Sequence, residues 1–173
     1  MTAPTFVDTN VLVYAKQANE PVKQPVAAQW MERLWQEQLG RLSTQVLSEY
    51  YVTVTRKIKP ARSAADAWDD VRDFLSWNPQ PMDQELMHRA HEVEQRHKLS
   101  WWDSLIVAAA QLQSCGLLLT EDLQHGATYG NVRVRNPFVT AVSQDEAVYT
   151  VTRVSIGSHP KRGRPRRNPA TQA

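Results

Sequence analysis

The chain has 173 residues, of which 42% are apolar, enough to fill one core and too few for two full domains. A single cysteine, Cys115, excludes an internal disulfide, and its setting in "SCGLLL" marks a small core residue rather than a nucleophile. No basic-then-apolar leader opens the sequence, and no stretch approaches the roughly 18 apolar residues of a membrane span, so a cytoplasmic protein without a membrane partner is expected. The net charge of +2 hides a partition. Lys161, Arg162, Arg164, Arg166 and Arg167 lie together in "KRGRPRR", and the other 15 of the 20 Lys and Arg face 18 acids. A mildly acidic body with a strongly basic tail points to a polyanion for the tail.

Phe6-Val7 is a short apolar run that stops at Asp8, and Val11 to Ala15 resumes beyond Asn10, which reads as strand, turn and helix start. Val26, Trp30, Leu34 and Trp35 recur at helical spacing over 22–39, with Gly40 as the C-terminal cap. "RLSTQ" reads as a short strand. A helix from Val46 to Ile58 follows, ended by Pro60, and another over 63–77 turns Ala67, Val71, Phe74 and Leu75 inward. Asp83 caps a helix to about His97, and Ser100 caps "WWDSLIVAAA", whose alanines imply close packing. "LLLT" has the continuous apolarity of a buried parallel strand, and "NVRVRNP" alternates as a final edge strand near Val132 and Val134. Strands alternating with helices give an α/β fold with a parallel central sheet covered on both faces.

The pattern weakens after Phe138. Residues 139–156 carry β-branched side chains without a clean period, and from Gly157 onward Gly, Pro and Arg dominate, which predicts disorder.

In an open parallel sheet, function gathers where strands end and helices begin. Asp8, Glu49, Asp103 and Asp122 all take such positions. Each alone is a common structural residue, and Asp103 would gain from the helix dipole without any ligand. Together they repel unless a cation intervenes, and oxygen donors favour Mg²⁺ or Mn²⁺, whereas the histidines do not flank them at zinc-ligand spacing. Such ions activate water and stabilise a phosphodiester under in-line attack, so the inferred chemistry is metal-dependent hydrolysis of nucleic acid. Thr9, Asn10 and Thr120 stand beside these acids either as caps or as contacts to water and substrate phosphate. Trp101 is a candidate to stack a base, with Trp102 expected in the core. Two alternatives remain open at this point. One is a phosphatase of haloacid-dehalogenase type, although Asn10 occupies the place of its second acid; the other is a binding module working through the tail.

The contexts "FVDTNVLVYA", "LSEYYVTVTRK", "WWDSLIVAAA" and "LLTEDLQHG", with "VRVRNPF" closing them, together resemble the PIN domain, and most closely the VapC-type toxins of bacterial toxin–antitoxin systems. The resemblance covers about residues 5–138, leaving 139–156 as an extension and 157–173 as the basic tail. It implies a three-layer α/β/α sandwich and a ribonuclease using Mg²⁺ or Mn²⁺. Asp8 and Asp103 would then be direct metal ligands, with Glu49 and Asp122 completing the site. It also implies an RNA substrate, a homodimer and a cognate antitoxin, or else a related nuclease of RNA processing. Arg162-Gly163-Arg164-Pro165 resembles the core of an AT-hook, which implies DNA contact through the minor groove, beside the simpler reading of general phosphate attraction.

Overall fold

The computed structural model describes residues 3–139. The expectations placed on 140–173, including the tail cations Lys161, Arg162, Arg164, Arg166 and Arg167, lie outside them.

The elements follow in the order β1 (Thr5–Val7), α1 (Thr9–Lys16), α2 (Lys23–Glu37), β2 (Gly40–Arg41), α3 (Thr44–Val52), α4 (Ala64–Phe74), α5 (Gln84–His97), α6 (Trp101–Leu112), β3 (Leu117–Leu119), β4 (Thr128–Tyr129) and β5 (Val132–Arg135). The sheet has the order β2-β1-β3-β5-β4. Its first four strands are parallel, in a register that sets Thr5 beside Gly40 and Leu117, and Leu117 beside Arg133. β4 closes the edge antiparallel to β5. The result is the expected α/β architecture, a mostly parallel sheet flanked by six helices among the described residues.

Ser or Asp caps five of those helices, α1 among them through Asp8. Ser43, Ser63, Asp83 and Ser100 each accept the backbone N–H three residues on, at 2.9–3.3 Å, which satisfies a donor with no partner inside the helix. The core runs from Phe6 and Val7 on β1 through Leu118 and Leu119 on β3 to the alanines of α6, all fully buried.

Several local expectations shift for identifiable reasons. Ser43 is spent as a cap, so β2 is two residues long and α3 begins at Thr44. α3 widens into a π-helical turn at Thr53–Lys57 and ends before Pro60. A 3-10 turn at Leu75–Trp77 breaks the phase of α4, turning Leu75 out to 48% exposure and Trp77 inward. "VRVR" lies inside the sheet, because β4 pairs along its outer side.

Gly40 does not cap α2. The left-handed C-cap is Gln38, at φ 57°. Gly40 is glycine because the Trp77 ring, packed against Trp35 and Phe74, occupies the space where a Cβ would stand. Gly40→Ala is therefore expected to lower unfolding free energy by about 1–3 kcal/mol, the usual range for overpacking. Urea unfolding checks it, and unchanged stability would show that Trp77 moves freely aside.

Candidate active site

β1 delivers Asp8 to the carboxyl edge of the sheet. Its N–H donates to Leu119 O at 3.0 Å, tying it to β3, and its Oδ1 accepts the Thr9 N–H at 2.7 Å as the N-cap of α1. The residue is 8% exposed. The end of β3 brings Thr120 against it, fully buried, and Thr120 Oγ1 donates to Asp8 Oδ2 at 2.8 Å. The same hydroxyl oxygen accepts the Asp122 N–H at 3.1 Å, which shapes the turn that carries Asp122.

Asn10 joins these groups. Its Nδ2 faces Asp8 Oδ2 at 3.3 Å, Thr120 Oγ1 at 3.2 Å and Asp122 Oδ2 at 3.1 Å. Three acceptors around one amide nitrogen fix which way the amide points, and they leave Asn10 Oδ1 buried without a partner. On the other side Thr9 Oγ1 donates to Glu49 Oε2 at 3.3 Å, and Gln45, one turn earlier on α3, donates to Glu49 Oε1 at 3.2 Å. Asp8, Glu49 and Asp122 thus share one network with Thr9, Asn10 and Thr120.

The electrostatics agree with that convergence. Burial pushes the Asp8 carboxyl up to about 7, and the negative fields of Asp122 and, more weakly, Glu49 add to the rise, while the bonds from Thr120 and Thr9 oppose it. A buried carboxylate facing two others is a site held against its own repulsion.

Asp103 belongs to a different piece of the same edge. α6 precedes β3 with only a short turn between them, and so runs back along the sheet with its first turn toward the carboxyl edge. Asp103 lies in the first turn of α6, nine residues before its last residue, Leu112. Its hydrogen bonds run to Ser100, whose hydroxyl lies 2.6 Å from Oδ2 and accepts the Asp103 N–H at 3.1 Å. The bonds that join the other three acids do not pass through it.

The neighbouring tryptophans exchange their expected places. Trp101 is half-buried and packed on the core, and Trp102 is 43% exposed. Glu121, beside Asp122, is held elsewhere. Its carboxylate takes Lys23 Nζ at 2.6 Å and the Tyr14 hydroxyl at 2.8 Å, under a lid formed by Phe138, whose ring meets Tyr14 edge-on at 5.2 Å. Gln45 was not legible as a site residue; the one signal was its place four residues before Glu49, which puts both on one helix face.

The sequence profile of the PIN domain matches residues 5–131. The chain belongs to the PIN domain family. Solved structures agree at the level of the fold. The toxin VapC20 of Mycobacterium tuberculosis, described as cleaving the sarcin-ricin loop, is 22% identical, with a TM-score of 0.53 over 68% of this chain and 91% of its own. A toxin–antitoxin complex from Klebsiella pneumoniae contains a chain 20% identical, with a TM-score of 0.52 over 77% of this one and 97% of that one. No curated protein matches.

The donors of this PIN domain suit a hard divalent cation in kind. They are carboxylate, amide and hydroxyl oxygens, one of them the buried and unpartnered Asn10 Oδ1, and positive charge among them would relieve the crowding at Asp8. Among the described residues, no three His, Cys, Asp or Glu side chains converge closely enough to hold an ion as they stand. Asn10 and Thr120 bridge the carboxylates in this arrangement. No helix among the described residues is long and apolar enough to cross a membrane.

Proposed function

We propose that this PIN domain is a metal-dependent endoribonuclease that hydrolyses RNA phosphodiesters, and that it acts as the toxin of a toxin–antitoxin pair. The observation that carries the reading is the network joining Asp8, Glu49 and Asp122 through Thr9, Asn10 and Thr120 at the carboxyl edge of the sheet. Asp8 and Asp103 are the proposed direct ligands of Mg²⁺ or Mn²⁺, with Glu49 and Asp122 completing the set. Such an ion, when bound, supplies an activated water and neutralises charge developing on the phosphate.

The chain's own contribution is placement. Thr120 and Asn10 aim the Asp8 and Asp122 carboxylates, and Gln45 and Thr9 hold Glu49 from two sides. Thr120 is buried deep in the network, so its assigned role is to orient Asp8 rather than to meet substrate, while Thr9 and Asn10, only partly buried, are the residues proposed to touch a phosphate. A phosphoaspartate mechanism fits less well, because Asn10 spends its amide bridging three acceptors and offers no acid two residues after Asp8. A cognate antitoxin belongs to the same reading, supported by fold likeness to a chain of a toxin–antitoxin complex; the homodimer, the cytoplasmic setting and tail contact with DNA or RNA are proposed with it, the last from the charge of "KRGRPRR".

Purified full-length chain incubated with total cellular RNA is expected to produce discrete new ends with Mg²⁺ or Mn²⁺ and none in EDTA, read by end sequencing. Intact RNA under both metals would sink the activity. Co-expression with a small protein encoded next to it should suppress those ends if the toxin reading holds.

A further inference from the structure

α1 and α3 run side by side away from the acids. At one end of the pair Thr9 Oγ1 donates to Glu49 Oε2 at 3.3 Å, and at the other Asn19 Nδ2, just past α1, donates to Lys59 O at 2.8 Å. Both contacts join residues 40 apart in the sequence, so the two stretches point the same way, from the acid network toward the end of α3. That end is cationic. Arg56, Lys57 and Lys59 are exposed, and among the described residues none of their side chains enters an ion pair, a ring contact or a hydrogen bond. Lys16, at the end of α1, and Arg62 add two more cations that share the one carboxylate of Asp70. No acid occurs in the sequence between Glu49 and Asp66, and Glu20, the nearest acid in sequence to Asn19, is partly buried.

Helix periodicity sets these cations against the site. Gln45 and Glu49 lie on one row of α3, where the first donates to the second at 3.2 Å. Arg56 and Lys57 come seven and eight residues after Glu49 and fall on either side of that row, because the π turn over Thr53–Lys57 takes more residues for its rotation than an α turn does. The dipole of α3 accounts for a cation at its C-terminus. It does not account for Lys59, beyond the turn, or for three cations within four residues left without a carboxylate.

We propose that Arg56, Lys57 and Lys59 form a phosphate-binding strip that carries single-stranded RNA away from the active site, each cation neutralising a backbone phosphate beyond the one to be cleaved. The polymer fits because it is charged along its whole length: with one phosphate at the proposed metal site, its neighbours pass along α3 to the cations. An acidic protein segment would meet the same cations but would be repelled by Asp8, Glu49 and Asp122 at the other end of the path. The strip rests on the ribonuclease reading for its substrate, and its test is arranged so that the two can fail separately.

Binding of a fluorescein-labelled single-stranded RNA of mixed sequence to the full-length chain is read by anisotropy in EDTA, where metal-dependent cleavage does not occur, over a range of salt. Arg56→Gln, Lys57→Gln and Lys59→Gln should each flatten the slope of log affinity against log salt by about 0.7, the share of one single-strand phosphate, and the triple variant by about 2. Arg89→Gln combined with Arg96→Gln removes two exposed cations from α5 and should leave the slope unchanged. The same strand with uncharged methylphosphonate linkages should bind the wild type and the triple variant alike. In cleavage the triple variant should raise KM and keep kcat, as loss of uniform substrate binding does.

A triple-variant slope equal to that of the wild type overturns the strip, as does an equal flattening in the α5 control. Polyglutamate of matched charge that binds as tightly as RNA, and loses as much in the triple variant, overturns it in favour of a protein segment. If the wild type cleaves no RNA with either metal yet the triple variant alone loses slope, the strip stands and the nuclease reading falls. If the wild type cleaves and the triple variant keeps both slope and KM, the reverse holds.

Discussion

Asp8→Asn is expected to reduce metal-dependent RNA cleavage by at least about 100-fold, a loss appropriate to a group that organises the metal site, with the melting temperature little changed. The fold should tolerate it because asparagine is as good an N-cap as aspartate, so the bond from Thr9 N–H survives. Burial and the fields of Asp122 and Glu49 already disfavour charge at this position, and removing that charge relieves the site rather than straining it. Glu121→Gln supplies the contrast. Glu121 is the next acid along from Asp122, but its oxygens are engaged by Lys23 and Tyr14, so the substitution should leave cleavage within a few-fold of wild type. Single-turnover rates on one RNA, with melting curves for each variant, separate the two. Full activity in Asp8→Asn, or equal loss in both, would remove the assignment of the network as the active centre.

What made Asp8 and Asp122 legible was their position just past apolar runs that become β1 and β3, Asp8 directly after the first and Asp122 two residues beyond "LLLT". A charge at the end of a buried strand has few structural uses, and the two strands are neighbours in register. Glu49 was legible by its place on the helix after β2. The bridging role of Asn10 was not, because a residue two positions into a helix start reads equally well as a cap; Asp8 caps α1 instead, and Asn10 is free to reach across to β3.

Trp101 and Trp102 show a limit of periodicity. Every residue from Ser104 to Ala110 is buried, so α6 has no polar face there from which to set its phase. Either tryptophan continues an apolar row, Trp101 toward Leu105 and Ala108, Trp102 toward Ile106 and Ala109. Only the path of the α5–α6 corner decides which ring turns inward. Gly40 and Gln38 exchange roles for a related reason: a glycine just past a helix suggests a cap, and the ring that requires it, Trp77, comes 37 positions later in the sequence. Local signals found the acids, and contacts distant in sequence set the rest.

Two adjacent aspartates on α4 should differ sharply in what their removal costs. Asp69 pairs with Arg72 at the surface, with both side chains at least 60% exposed, and Asp69→Ala is expected to change stability by less than about 0.5 kcal/mol. Asp70 is 7% exposed and receives Lys16 and Arg62, each at 2.9 Å, together with the Tyr50 hydroxyl. Burial first, and then the Asp70 carboxylate, hold the Tyr50 phenol far above its ordinary range, so that hydroxyl remains a donor at any working pH. Asp70→Ala leaves a fully buried phenol without its acceptor and two cations without their charge. Lys16 and Arg62 are 40% and 30% exposed and regain water, which places the expected loss near the lower end for a broken buried pair, about 3 kcal/mol. That is a large share of the roughly 5–15 kcal/mol that holds a domain folded. Tyr50→Phe removes one hydrogen bond and keeps both cations on Asp70, so about 1 kcal/mol is expected. The consequence reaches the active site by a stated path. Lys16 ends the helix that Asp8 begins, and Tyr50 follows Glu49 on α3, so Asp70 ties together the two helices that carry these acids. Urea unfolding of the three variants should rank them Asp70, Tyr50, Asp69, and comparable losses at Asp69 and Asp70 would show that the buried cluster contributes no more than a surface pair.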